Sequence, residues 1–205
     1  MLTCGLCDGV FQTEVPRIIW AYVSVLAQVW IAYQMMTQNK LDLGSFQSLG
    51  IVCLHICFPI MLLLHYGQTD AVLGRDMIIG ILLLVWATDS FAFLMGSWLG
   101  KRPLYTKVSP NKTVEGALAA LCFTPFVGFG IAQFSDVLST SYWMLLGILT
   151  AGLAIIGDLA QSHIKRIAQV KDSGNLMPGH GGLYDRMDSL IFVVPFLYII
   201  LYYLT

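Results

Sequence analysis

Apolar residues run almost unbroken through six stretches of the chain, at about residues 18–36, 49–66, 77–99, 114–134, 142–160 and 187–204. A helix needs roughly 20 apolar residues to cross a hydrocarbon layer about 30 Å thick; the second and last stretches are short but adequate. The pattern predicts an all-α, polytopic membrane protein of about six transmembrane helices. Two connections, 37–48 and 67–76, are brief and polar, whereas 100–113 and 161–186 are longer and hold most of the glycine, proline and charge. The chain divides on this pattern into an N-terminal pair of spans, 1–76, and a four-span portion, 77–205, that carries the chemistry. No internal repeat or low-complexity tract interrupts it.

Composition strengthens the membrane reading. Of 205 residues 57% are hydrophobic and 11% charged, with a mean hydropathy of +0.74, against roughly 25% charged residues in a soluble domain. A net charge of −1 says little about partners, and its distribution says more; no nucleic-acid partner is expected. Cys4 and Cys7 form a C-x-x-C without the second pair that a structural zinc site requires. Cys53, Cys57 and Cys122 fall in apolar runs and are expected to be small packing residues. The N-terminus lacks the basic segment of a signal peptide, so the first apolar run is expected to be retained.

Charge also orients the chain. With both termini outside, nine of the eleven basic residues lie in the cytoplasm: Lys40, the group Lys101, Arg102, Lys107 and Lys112, and the group Lys165, Arg166, Lys171 and Arg186. Only Arg17 and Arg75 remain outside. The excess of Lys and Arg on cytoplasmic loops then places both long connections there.

The second long connection interleaves cations with carboxylates. If the fifth helix runs past the membrane surface, Asp158, Ser162 and Lys165 fall at i, i+4 and i+7 on one face. Asp185 and Asp188, at i and i+3, share a face where the last span begins, and Gly181 and Gly182 let the backbone before them approach a ligand closely. Carboxylates and cations around a glycine-rich bend are the parts of a metal–nucleotide site: one or two carboxylates hold magnesium together with substrate phosphates, and Lys or Arg side chains such as Lys165, Arg166 and Arg186 neutralise the transferring group. A solvated loop anchored to anionic lipid explains the cations but not the aspartates beside them. His180, between glycines, is a candidate substrate contact, whereas His55 and His65 read as packing or interface residues.

In the first long connection, Ser109 and Pro110 have the form of an N-cap followed by proline at the first helical position. A helix N-terminus there, with Lys112, Thr113 and Glu115 beside it, could hold a phosphate or simply cap the fourth span. The spacing is not that of a P-loop. Asp89, in the middle of the third run, costs about 2.5–3.5 kcal/mol at a helix centre on insertion scales; it faces a cavity or hydrogen-bonds to a neighbouring helix.

The stretch from Ser162 to Asp188, SHIKRIAQVKDSGNLMPGHGGLYDRMD, closely resembles the signature of the phosphatidate cytidylyltransferases, the CDP-diacylglycerol synthases. The segments DSFAF from Asp89 and SPNKTVEG from Ser109 are similar to a second block of that family, and the resemblance covers roughly residues 78–200. Met177 stands where Ile, Leu or Phe is usual, and family members are commonly longer, with further N-terminal spans. The resemblance implies cytidylyl transfer from CTP to phosphatidic acid, giving CDP-diacylglycerol and pyrophosphate. It implies that Asp158 and Asp185 hold magnesium, optionally with potassium, and that Ser162, Lys165, Arg166, Lys171, Asp172 and Asp188 line the nucleotide and phosphate site. It further implies a homodimer with a lipid-accessible cavity in the bacterial cytoplasmic membrane, its active site facing the cytoplasm. Neighbouring readings are an ether-lipid phosphate cytidylyltransferase and a CTP-dependent polyprenol kinase. A small ion-coupled transporter using Asp89 and Asp158 would concentrate its charge near the midplane, which this chain does not.

The charge distribution makes one topological prediction. In a variant otherwise free of cysteine, Asn175→Cys should react with an impermeant maleimide only from the cytoplasmic side, and CTP with magnesium should slow that reaction. Ser139→Cys should react from the opposite side and ignore CTP. Reaction of both positions from one side would overturn the six-span arrangement.

Overall fold

Hydrocarbon offers no hydrogen bonds, so a backbone crossing it must satisfy its own N–H and C=O groups, and apolar runs of this length close into helices. The computed structural model describes residues 14–37, 50, 53–68, 71–170, 172–174 and 182–204. Helix α1 spans Glu14–Thr37; a π-helical turn, Cys53–Cys57, leads into α2, Phe58–Gln68; α3 spans Ala71–Leu99. Two short strands follow, β1 (Pro103–Tyr105) and β2 (Ser109–Thr113), then α4 (Val114–Ile131), α5 (Thr140–Ile167) and α6 (Tyr184–Leu204). Among the described residues five helices, α1 and α3 to α6, are long and apolar enough to cross a membrane; the second expected span is represented by a shorter apolar helix, Cys53–His65.

The exterior is as apolar as the interior, as it must be when the solvent is lipid. Trp98 is 82% exposed and Phe134 92%, while Ser24, Gln28, Thr88, Thr124, Thr150, Gln161 and Ser189 are buried between helices. With no hydrophobic force between helices in lipid, small residues and polar contacts hold them together. Thr88 Oγ1 donates to the Leu84 carbonyl (2.8 Å) and meets Thr124 Oγ1 on α4 (3.3 Å). A Cβ on Gly116 would strike the Ala92 carbonyl of α3, one on Gly80 the Trp143 ring of α5, and one on Gly157 the Phe192 side chain of α6. The main core gathers Leu84 of α3, Trp143 and Leu146 of α5, and Val193 and Leu197 of α6.

Two expectations are corrected. Ser109 does not cap α4. It is the first residue of β2, paired antiparallel with β1 in the register Pro103↔Thr113 and Tyr105↔Ser109. An N-cap residue is extended too, so the proline does not decide the matter; pairing with β1 keeps the chain extended through Thr113, and the helix begins only at Val114. Its N-cap is Thr113, whose side chain accepts from Gly116 N (3.2 Å). The cysteines are also placed differently: Cys53, Cys57 and Cys122 are exposed, on surfaces that face lipid, rather than packed inside. Cys4 and Cys7 lie outside the described residues.

The close approach of α5 and α6 at Gly157 sets a stability test. Gly157→Ala places a methyl on Phe192 Cβ, and overpacking of this kind costs about 1–3 kcal/mol. Gly130→Ala, with nothing within 4 Å, should leave stability unchanged or slightly raised. Thermal unfolding of the detergent-solubilised protein should lower the midpoint for the first variant only.

Candidate active site

The antiparallel run of α3 into the hairpin and α4, and of α5 into α6, brings both long connections to one end of the bundle. A cavity of about 460 Å³ opens there, within the range of pockets that enclose a small molecule. Its walls are Thr88, Asp89, Phe93 and Ser97 of α3; Leu104 of β1; Ser109, Asn111, Lys112 and Thr113 of β2; Ala154, Ile155 and Asp158 of α5; and Asp185, Asp188 and Ser189 of α6. Carboxylates and an ammonium share this lining with the apolar Phe93, Leu104, Ala154 and Ile155. Phe93, at 74% exposure, stands at its lipid-facing edge.

Helix α5 does continue past Asp158 to Ile167, so Asp158, Ser162 and Lys165 lie on one continuous helix at the spacing that aligns them. Asp158 forms an ion pair with Lys112 of β2, which joins the hairpin to α5. Beyond this carboxylate the buried Lys112 ammonium has no hydrogen-bond acceptor among the described residues. Asp89 Oδ1 accepts from Ser189 Oγ (3.4 Å). Asp89 and Asp188 both feel the negative charge of Asp158 and the positive charge of Lys112.

Asp185 is the most fully engaged carboxylate. Lys165 Nζ donates to its Oδ1 at 2.8 Å, and both side chains are largely buried, 15% and 11% exposed. Its Oδ2 accepts from Ser173 N (2.8 Å), Ser173 Oγ (3.0 Å) and Gly182 N (3.0 Å). The two described ends of the glycine-rich loop are thus gathered on one side chain. A Cβ on Gly182 would collide with Ser173 Oγ, which explains glycine there. Behind this cluster, fully buried Gln161 donates through Nε2 to the Asp188 carbonyl (3.1 Å).

Of the residues singled out in the sequence, Asp89, Ser109, Lys112, Thr113, Asp158, Asp185 and Asp188 are brought together on the cavity wall. Lys165 and Gly182 reach it through Asp185. Arg166 is turned aside: its Nε donates to the Val108 carbonyl (3.5 Å) and its Nη1 to that of Val170 (3.3 Å), tying the hairpin to the end of α5. Glu115 accepts from Lys101 N (3.0 Å) and Arg102 N (3.2 Å) and so folds the start of the hairpin onto α4. Ser162 is half-buried, and Asp172 and Arg186 are exposed, away from the cavity wall. Lys171, His180 and Gly181 lie outside the described residues. Sequence reasoning passed over Ser173 and Gln161. Ser173 sat within the signature without an assigned role. Gln161 was signalled only by being an amide within an apolar helix.

The donor set fits a hard divalent cation: the wall offers carboxylate, amide and hydroxyl oxygens, with neither thiol nor imidazole among its lining residues. Among the described residues no three acidic, His or Cys side chains form a ready-made metal cage. Magnesium is ordinarily held by one or two carboxylates together with a substrate's phosphates, so such a cage is not a requirement for it.

A family model described as the cytidylyltransferase family matches residues 4–204. The chain is 36% identical over 198 residues to the phosphatidate cytidylyltransferase of Bacillus subtilis (strain 168), covering 95% of this chain and 70% of the relative. It is 34% identical over 173 residues to the phosphatidate cytidylyltransferase of Staphylococcus aureus (strain COL), covering 83% of this chain and 65% of the relative. A Staphylococcus epidermidis (strain ATCC 12228 / FDA PCI 1200) protein of the same name matches at 34% over 174 residues, with 83% and 65% covered. The chain spans about two thirds of the length of these relatives.

Removing one partner of a buried ion pair strands the other charge, at about 3 kcal/mol or more. Lys165→Ala should therefore lower the thermal midpoint in detergent well below wild type. Adding Asp185→Asn removes the stranded charge while keeping an acceptor for Ser173 and Gly182, so the double variant should be no less stable than Lys165→Ala alone. Strictly additive losses would show that the two side chains do not act as a pair.

Proposed function

This chain belongs to the cytidylyltransferase family, and on that premise we propose that it transfers the cytidylyl group of CTP to the phosphate of phosphatidic acid. The products are CDP-diacylglycerol, a precursor for phospholipid biosynthesis, and pyrophosphate. The observation that carries the reading is a single cavity in which four carboxylates and an ammonium stand beside apolar side chains, among them exposed Phe93 of α3. A nucleotide and a membrane lipid could meet in it.

The reaction forms one bond and breaks one. A phosphate oxygen of phosphatidic acid attacks the α-phosphorus of CTP, and the bond from that phosphorus to the α–β bridging oxygen breaks, with pyrophosphate carrying away the electron pair. The attacking phosphate is already ionised at neutral pH, so no residue is required as a general base. Lys112, whose ammonium lacks a second acceptor among the described residues, binds phosphate oxygens from the hairpin side. Lys165 holds Asp185 in place and adds positive charge at the opposite wall. Held close together in the cavity, the two substrates react chiefly through positioning and electrostatic stabilisation. Asp158 and Asp185 would hold magnesium, with Asp89 and Asp188 nearby, and the ion when bound neutralises charge building up on the phosphates. A bacterial cytoplasmic membrane, a cytoplasmic opening and a homodimer complete the proposal; the basic residues clustered around this end of the bundle support the orientation.

Incubation with phosphatidic acid, magnesium and CTP labelled at the α-phosphorus should place label in a chloroform-soluble nucleotide lipid. CTP labelled at the γ-phosphorus should give labelled pyrophosphate instead. Transfer of the γ-label to lipid would identify a kinase and overturn the reading. Lys112→Ala and Asp158→Asn should each lower turnover roughly 100- to 1000-fold, the usual cost of losing one electrostatic contact in a transition state.

A further inference from the structure

A hydrogen-bond chain outside the cavity runs from α1 to the first residue of α6. Gln28 is 0% exposed and His55, in the π-helical turn, 2%. Gln28 Nε2 donates to the Ile191 carbonyl of α6 (3.2 Å) and reaches that of His55 (3.5 Å). Those two acceptors fix the amide's orientation and turn its Oε1 toward His55 Nδ1, 2.7 Å away. A carbonyl oxygen only accepts, so in the neutral imidazole the proton sits on Nδ1 and Nε2 offers a lone pair. Tyr184 OH lies 3.1 Å from Nε2 and is the donor there. Ser24 Oγ, also buried, donates to the Leu54 carbonyl (2.9 Å) and tethers the turn to α1.

The chain has one self-consistent direction and every member has a partner. Between apolar helices a broken link leaves a buried polar atom that water cannot reach, which penalises any displacement of Tyr184. Tyr184 opens α6. Asp185 follows immediately, and Asp188 lies one turn further along the same face as Tyr184. Neither Gln28 nor His55 touches the cavity wall.

We propose that Gln28, His55 and Tyr184 are positioning residues, a relay through which α1 and the turn before α2 set Asp185 and Asp188 at the cavity. The kinetic part of this inference rests on the cytidylyl-transfer reading.

Tyr184→Phe keeps the ring and removes the donor. Its kcat should fall roughly 10- to 100-fold, the usual effect of losing a group that orients the acting one, with KM for CTP changed by less than about threefold and the thermal midpoint lowered only modestly, by the acceptor left unpaired on His55. His55→Gln can present an acceptor near the Nε2 position and should recover much of kcat, whereas the shorter His55→Asn should not. Combining His55→Asn with Tyr184→Phe should cost no more than either change alone. Independently of activity, hydrogen exchange at the Ser173 and Gly182 amides, which donate to Asp185, should accelerate in Tyr184→Phe while α5 amides keep their rates. Wild-type kcat and exchange in Tyr184→Phe would overturn the relay, as would exchange that rises uniformly across all helices. A wild-type protein that turns over no CTP would sink the proposed function instead, and the exchange comparison would still decide the relay.

Discussion

A carboxylate in a hydrocarbon slab must be given a partner by the protein, because lipid offers none. Four aspartates converge near one end of this bundle, and the surrounding structure supplies what holds them there. Lys112 reaches from the hairpin to Asp158; Lys165 reaches along its own side of the bundle to Asp185. The hairpin is in turn held by Glu115 and Arg166, both of which bind its backbone. Charged residues that a reader would place at the chemistry are thus divided between those that face the cavity and those that keep its walls in register.

The same solvent accounts for how the helices meet. Exposed Trp98 and Phe134 contribute nothing to assembly when the medium is itself apolar. The helices instead approach at Gly80, Gly116 and Gly157 and exchange hydrogen bonds through Thr88, Thr124, Gln28 and Gln161. Close backbone approach between α5 and α6 bears most directly on the candidate site, since those helices carry Asp158, Lys165, Asp185 and Asp188. Their separation decides whether the ammonium of one reaches the carboxylate of the other.

The cavity's mixed lining, with Asp89, Lys112, Asp158, Asp185 and Asp188 beside apolar Phe93, Leu104 and Ile155, suits a reaction between a polyanionic nucleotide and a lipid. Catalysis at such a boundary depends on geometry more than on acid–base chemistry, because the attacking phosphate is already charged.

The sequence by itself determined the helical, membrane-embedded class, the separation of charge into two connections, and the family, because apolar run length and a long contiguous signature are local properties. It also placed Asp158, Ser162 and Lys165 on one helix face, since helical periodicity requires only that α5 continue, as it does to Ile167. Tertiary structure decided the rest. Ser109 joined a strand rather than a cap because it pairs with Tyr105 of β1, four residues away, and neither that pairing nor its strength is visible in a capping pattern. Arg166 and Lys165 are neighbours in sequence, yet one meets Asp185 and the other the Val108 carbonyl, because adjacent positions on a helix point about 100° apart. Whether the second apolar run forms a full span, and whether His55 packs or relays, depended on what α1 and α6 present to it, and contacts between segments more than a hundred residues apart leave no local trace.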